Sequence, residues 1–177
     1  MGISQRPCSV KLIAGVISSS EIFSNQAEEK LVEAFGGIDY RSKTIDFDFT
    51  RYYADEMGTV LKRYFLSFSK LIDPARLAEI KIFTNEAEGC FAERTPALKR
   101  SVNIDPGYIT DAKLVLASTK DYSHRIYLSK GIYAETTLFY QKNSFRTFNW
   151  TYPDYKTKDY INIFNDIRNI FMNQREH

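Results

Sequence analysis

The chain has little of what usually identifies a class of protein. Its 177 residues include two cysteines, Cys8 and Cys90, without CxxC spacing, and His124 is its only internal histidine. Because structural zinc sites are built from several Cys and His ligands, we expect no metal site and two reduced thiols. The patterns GxxxxGK[ST], GxGxxG and GxSxG are also absent. The chain therefore lacks the common nucleotide loops and the nucleophilic serine turn, and its cofactor is unknown.

A surplus of charge and a long apolar run are missing as well. Twenty-four basic and 22 acidic residues give a formal net charge of +2, and the basic residues form no run. Nucleic acid is therefore not an expected partner. The apolar segment from Leu12 to Ile17 is too short for a signal peptide or a membrane span. The sequence predicts a cytoplasmic protein that does not enter a membrane.

Aromatic residues are plentiful: 12 Tyr, 13 Phe and one Trp make up 15% of the chain. Because Tyr and Phe favour strands, most of them are expected on sheet faces. Exposed tyrosines would instead suit a homo-oligomer or another protein partner. The remaining composition is that of a globular protein, and the length fits one domain, so we predict a single domain over residues 1–177.

The N-terminal part alternates between strand and helix patterns. The predicted order is a strand at Val10–Ile17, a helix capped by Ser24, strands at 45–49 and Val60–Phe68, a helix beginning at Asp73-Pro74, and a short strand at Val102–Ile104. That last strand is predicted to end at Asp105-Pro106-Gly107, whose residue types are typical of a turn. The segment Ile80–Thr84 fits either a helix or a strand. The βαββαβ order is typical of a ferredoxin-like fold.

The C-terminal half is rich in strands and closes with a helix. Strands are predicted at residues 113–118, 124–128, 132–140 and 145–150, and an apolar stripe from Tyr160 to Phe171 marks the helix. These strands either extend the first sheet or form a second one. The predicted fold class is α+β: a mainly antiparallel sheet with a ferredoxin-like N-terminal βαββαβ part, extended by a strand-rich C-terminal half and a closing helix.

One hairpin in this half concentrates polar residues. Ser129-Lys130-Gly131 is interpreted as a three-residue loop with glycine in the left-handed conformation. This loop would set Leu128 opposite Ile132, Tyr127 opposite Tyr133, and Arg125 opposite Glu135. The resulting polar face is either a wet sheet surface, where the ion pair contributes less than about 1 kcal/mol, or the floor of a pocket. In a pocket, Arg125 would bind a carboxylate or phosphate and His124 would act as an acid or base.

A second polar group lies at Trp150–Tyr155. It is interpreted either as a packed corner in which Asp154 caps the last helix, or as a stacking wall for a planar ligand. These two groups, together with Lys120 before the hairpin and with Asn103 and Asp105 on the same side of one predicted strand, supply the candidate site. The candidate catalytic residues are His124, Asp105 and Glu135, and the candidate ligand-binding residues are Asn103, Lys120, Arg125, Tyr133 and Tyr155.

Distinctive segments extend over nearly the whole chain. They are Lys11–Gly15, Phe49–Tyr53 with Glu56-Met57-Gly58, Ile80-Lys81 with Thr84-Asn85 and Glu88, Asn103–Tyr108, Ser118-Thr119-Lys120, His124–Leu128, Gly131–Glu135 and Trp150–Tyr155. Together they resemble the uncharacterised prokaryotic family catalogued as domain of unknown function 4416. The resemblance implies no particular activity. Some relatives in such a family carry a nucleotide-binding label, which the missing phosphate loop does not support.

Two function classes follow from these patterns. One is a small-molecule enzyme or binding protein for an anionic ligand, phosphorylated or nucleotide-like. The other is a non-catalytic interaction protein that forms a homo-oligomer through tyrosine-rich faces. They differ in whether the polar residues from Asn103 to Glu135 converge on one cavity.

Overall fold

One antiparallel sheet organises the chain. The computed structural model describes residues 2–49, 54–58, 60–92 and 100–175. The strands are β1 (Lys11–Ser18), β2 (Ile38–Arg41), β3 (Ile45–Phe47), β4 (Leu61–Phe68), β5 (Val102–Ile109), β6 (Lys113–Ser118), β7 (Ile126–Ser129), β8 (Ile132–Gln141) and β9 (Ser144–Thr147). The helices are α1 (Glu21–Phe35), α2 (Ala54–Met57), α3 (Leu77–Ala92) and α4 (Lys158–Arg175), and 3-10 turns lie at Pro74–Arg76 and Asp154–Lys156.

The strand order confirms the predicted α+β class. The sheet runs β2-β4-β1-β5-β6-β8-β7, with β3 also paired to β4 and β9 to β8. Within the described residues every pairing of these strands is antiparallel. The part β2-β4-β1-β5, with α1 and α3 in its connections, has the ferredoxin-like order. The strands β6, β8 and β7 extend the same sheet, so they do not form a second one.

Helices cover both faces of the sheet. Leu12, Ala14 and Val16 of β1 pack toward α1 and α3, while Ile13 packs toward α4. Burial of both faces explains why β1 reads as an uninterrupted apolar run. Among the described residues, no helix combines the length and apolar character needed to cross a bilayer.

Several element boundaries differ from the prediction. Helix α1 begins at Glu21, with Ser20 in the capping position, and Ser24 lies inside the helix, where its hydroxyl donates to the Ser20 carbonyl at 3.0 Å. Strand β3 ends at Phe47, and β2 was not predicted. Helix α3 includes Ile80–Thr84, which settles that alternative in favour of helix. The family segment Thr50–Tyr53 lies outside the described residues.

The predicted turn at Asp105-Pro106-Gly107 is wrong, because β5 continues through it. All eight residues of β5 pair with β1, but only Gly107–Ile109 pair with β6. A Cβ on Gly107 would lie 2.3 Å from the Val115 carbonyl oxygen, so glycine permits the last close approach of the two strands. Pro106 has no N–H to offer where the pairing ends. On the N-terminal side of Gly107, β5 and β6 are no longer paired. We call this gap, between residues 102–106 of β5 and 117–118 of β6, the split.

The hairpin turn is shorter than predicted. Lys130 and Gly131 form a two-residue turn with φ of 52° and 75°, the conformation that matches the twist of the flanking strands. Ser129, rather than Leu128, therefore lies opposite Ile132, and the register shifts near Leu128. The predicted pairing of Tyr127 with Tyr133 is confirmed.

Candidate functional site

The split opens into a cavity of about 580 Å³, which we call the split cavity. Its walls come from β4, β5, β6, β8 and α3, and from the loops that follow β6 and β9. Among the described residues, nine charged side chains line it: Arg63, Lys81, Arg100, Lys120, Arg125, Glu88, Asp105, Glu135 and Asp154. Five of these nine side chains are cationic and four are anionic.

A buried arginine joins the floor of the cavity to the segment before α4. The Arg63 side chain is 3% exposed. Its Nη1 donates to Asp154 Oδ2 at 2.7 Å, and its Nη2 donates to Tyr155 Oη at 2.7 Å and to Asp105 Oδ2 at 3.3 Å. A Cβ on Gly15 would lie 2.9 Å from Arg63 Nη2, so the guanidinium lies against β1 where that strand has no side chain.

Aromatic rings and carboxylates together hold the Arg63 cation. The rings of Phe47, Phe65, Tyr155 and Tyr160 have their centroids within 5.6 Å of its Cζ atom. Burial alone would lower the pKa of Arg63, but Tyr155, Asp154 and Asp105 raise it overall. Burial raises the pKa of Asp154, and Arg63 opposes that shift. Arg63 is therefore a fixed charge of the cavity floor.

Where β5 has no strand beside it at the split, polar side chains of helix α3 make hydrogen bonds to its backbone. Lys81, Asn85 and Glu88 lie on one face of α3 at spacings of four and three residues. Lys81 Nζ donates to the Ile104 carbonyl at 2.9 Å, and Glu88 Oε1 accepts from the Ile104 N–H at 2.7 Å. Burial raises the pKa of Glu88, although Lys81 and Arg100 oppose the shift.

A chain of hydrogen bonds connects Glu88 to Asp105. Glu88 pairs with Arg100, whose Nη2 also donates to Asn103 Oδ1 at 2.6 Å. Asn103 Nδ2 in turn donates to Asp105 Oδ2 at 2.9 Å. Asp105 is therefore held from two sides, by Asn103 along β5 and by Arg63 from β4.

The opposite wall centres on Arg125. Its Nε donates to Glu135 Oε2 at 2.7 Å, which confirms the predicted pairing of these two residues. Its Nη1 donates to Ser118 Oγ at 2.6 Å and to the Lys120 carbonyl at 3.0 Å, and its Nη2 donates to Tyr152 Oη at 3.0 Å. Both side chains of the ion pair are at most 3% exposed, so the wet-surface interpretation is wrong for the ion pair. Four bonds hold the guanidinium in the wall, which leaves no bidentate fork for a ligand.

His124 and Tyr133 do not line the cavity. The His124 Nε2 atom lies 3.1 Å from Glu135 Oε2, and its ring stacks on Trp150 with centroids 5.6 Å apart. Tyr133 packs edge-on against Tyr127. The other six predicted site residues do line the cavity: Asn103, Asp105, Lys120, Arg125, Glu135 and Tyr155.

Sequence reasoning missed five charged lining residues: Arg63, Lys81, Glu88, Arg100 and Asp154. The sequence did contain a sign of Lys81 and Glu88, because these two charged residues interrupt the apolar face of α3. Asp154 was interpreted as a helix cap, but it lies in a 3-10 turn and binds Arg63, and α4 begins only at Lys158. Within the described part of the chain, no group of three or more His, Cys, Asp or Glu residues is placed to hold a metal ion.

The walls of the cavity contain most of the segments that carried the resemblance. A sequence model of the family described as "Domain of unknown function (DUF4416)" matches residues 8–171. The chain belongs to this family. The matched range includes every described residue that lines the split cavity, from Phe47 to Tyr155. No curated protein and no solved structure matches the chain.

Proposed function

We propose that the protein binds a small anionic molecule in the split cavity. The observation that supports this is the convergence of nine charged side chains of the described residues, five of them cationic, on one cavity. Its volume, about 580 Å³, lies within the range of small-molecule sites. Buried charges are costly unless a function or a partner compensates them, so such a concentration favours a site over ordinary packing.

The cationic side chains of the cavity would have two roles: the arginines hold the walls, and the lysines contact the ligand. Arg63, Arg100 and Arg125 are engaged by carboxylates and hold the walls in place. Lys120 follows β6 at the exposed mouth and would meet the ligand's anionic group there. Lys81 gives one of its three N–H groups to Ile104 and could donate the others to the same ligand.

The candidate catalytic residues take different parts in this proposal. Glu135 accepts hydrogen bonds on both oxygens, from Thr137 on Oε1 and from Arg125 on Oε2. It and His124 would therefore position Arg125, rather than exchange protons with a ligand. Asp105 is the carboxylate that stays available for contact with the ligand.

The test is a thermal-shift screen with inorganic phosphate, sugar phosphates and nucleotides. A ligand at 100 times its Kd should stabilise the fold by about 2.7 kcal/mol, or raise Tm by about 5–10 °C in a chain of this size. The variant Lys120→Ala should reduce the shift. Lys130→Ala is the matched control, because Lys130 is an exposed lysine that pairs with Glu79 outside the cavity. If no anion raises Tm, or if the two variants respond alike, the proposal fails.

A second candidate function is self-association. Strand β7 is one end of the strand order, and its Ile126, Tyr127 and Leu128 are exposed. An open, partly apolar edge strand can pair with the same strand of a second copy. This surface favours a homo-oligomer, and the oligomeric state of the protein tests it.

A further inference from the structure

The four carboxylates of the split cavity differ in how their oxygens are engaged. Glu88 and Glu135 use both oxygens to accept hydrogen bonds or pair with cations. Asp154 accepts from Arg63 through Oδ2, and backbone N–H groups at Asp154 and Tyr155 also bond its carboxylate. These three side chains are at most 8% exposed. The carboxylates of Glu88, Glu135 and Asp154 therefore hold the walls of the cavity together.

Asp105 is different. Its side chain is 27% exposed, and its Oδ2 accepts from Asn103 Nδ2 and from Arg63 Nη2. The described residues donate no hydrogen bond to its Oδ1. A carboxylate that is anchored through one oxygen and open at the other can accept an N–H or O–H group from a ligand, and it favours a cation.

The two walls of the split therefore offer opposite charges. Asp105 lies on β5, and Lys120 follows β6 across the split. A ligand that spans the gap would meet a carboxylate at one end and an ammonium group at the other.

We infer that the ligand is a zwitterion, whose anionic group lies toward Lys120 and whose protonated amine contacts Asp105 Oδ1. This inference rests on the proposed function and narrows it to amino-substituted phosphates or carboxylates. Asp105 contacts the ligand directly. Asn103 and Arg63 are positioning residues, because they fix Oδ2 of Asp105 and leave Oδ1 without a donor among the described residues.

The experiment uses matched pairs of probes that differ only in the amine. The phosphate pair is 2-aminoethyl phosphate and ethyl phosphate, and the carboxylate pair is 4-aminobutyrate and butyrate. Calorimetric titration of the full chain gives a Kd for each probe. In the wild type the amine should tighten binding by about tenfold in at least one pair, as expected for one additional charge pair. In Asp105→Asn the two members of that pair should bind within about twofold of each other.

The variant Asp46→Asn is the control, because Asp46 is an exposed carboxylate that pairs with Lys62 and does not line the cavity. It should keep the full preference for the amine. The comparison of probes in the wild type requires no variant, so it stands even if Asp105→Asn fails to fold. Equal binding of both members of each pair, or a preference that survives Asp105→Asn, overturns the zwitterion inference and leaves anion binding intact. If none of the four probes binds, the zwitterion inference is overturned. The proposal of anion binding in the split cavity is overturned as well only if phosphate, sugar phosphates and nucleotides also leave Tm unchanged in the thermal-shift screen.

Discussion

Among single residues, Arg63 is the buried cation that links β4 to two other walls of the cavity. It contacts Asp105 on β5 and both Asp154 and Tyr155 before α4. Replacing Arg63 by Met keeps much of the apolar stem but leaves two carboxylates without their cation. Removing one partner of a buried ion pair typically costs about 3–5 kcal/mol, so we expect a loss of that size in the free energy of unfolding. Urea denaturation measures it.

The neighbouring residue provides the control. Lys62 pairs with Asp46 near the start of β4, where both side chains are more than half exposed. Lys62→Met should therefore cost less than about 1 kcal/mol. Adding Asp154→Asn to Arg63→Met should recover part of the loss, because one uncompensated charge disappears. Equal losses in Arg63→Met and Lys62→Met would contradict the role given to the buried network.

The role of Arg63 could not be predicted from the sequence, and the reason is distance along the chain. Alternation along β4 places it on the same face as Leu61 and Phe65, which signals a buried charge. Its compensating carboxylate, Asp154, is 91 residues away. Local patterns predict which face a side chain occupies, but they do not identify a partner that only the tertiary fold brings near.

Among elements, the strands and helices with clear apolar patterns were predicted well. The part of β5 that borders the split was not. β1, α3, β6 and α4 follow their apolar patterns. Asp105-Pro106-Gly107 has the residue types of a turn, yet pairing with β1 over eight residues keeps it extended. Tertiary pairing here overrides local propensity. The same Pro and Gly mark where pairing with β6 stops, so the residues that misled the prediction are those that open the cavity.

Strand β7 gives a prediction at the same scale. Ile126 is 74% exposed on this edge strand. If β7 pairs with its copy in a second chain, Ile126→Lys should shift the protein toward monomer, because a charged edge residue opposes strand pairing. Light scattering coupled to gel filtration measures the mass in solution. Val60→Lys is the control, because Val60 is a similarly exposed apolar residue that lies outside β7. A wild-type monomer, or the same mass for Ile126→Lys and wild type, would remove the self-association candidate.

Across the whole molecule, buried phenols lie on both faces of the sheet. Tyr64 packs in the core beneath α1 and α3. Tyr155, and Tyr160 of α4, pack in the core between α4 and the sheet. Burial is the main cause that raises the pKa of each, to about 12 for Tyr160 and well above its ordinary value for Tyr155. Since an unfolded tyrosine titrates near a pKa of about 10, the folded chain holds these protons more tightly than the unfolded chain does.

The sign of the pH dependence follows from that difference. The contribution of these phenols to stability is complete below about pH 10 and is lost as the pH rises through the folded pKa values, by about 1–2 kcal/mol per pH unit for each phenol. We expect exposed tyrosines to ionise near pH 10 without a change in helix content. The buried ones should ionise later, together with loss of the helix signal. Phenolate absorbance and circular dichroism follow the two events.

Tyr160→Phe should move the unfolding step to higher pH, whereas Tyr127→Phe, at an exposed position, should leave it in place. A single ionisation phase near pH 10 with the helix signal intact would show that the phenols beneath α1, α3 and α4 are open to solvent.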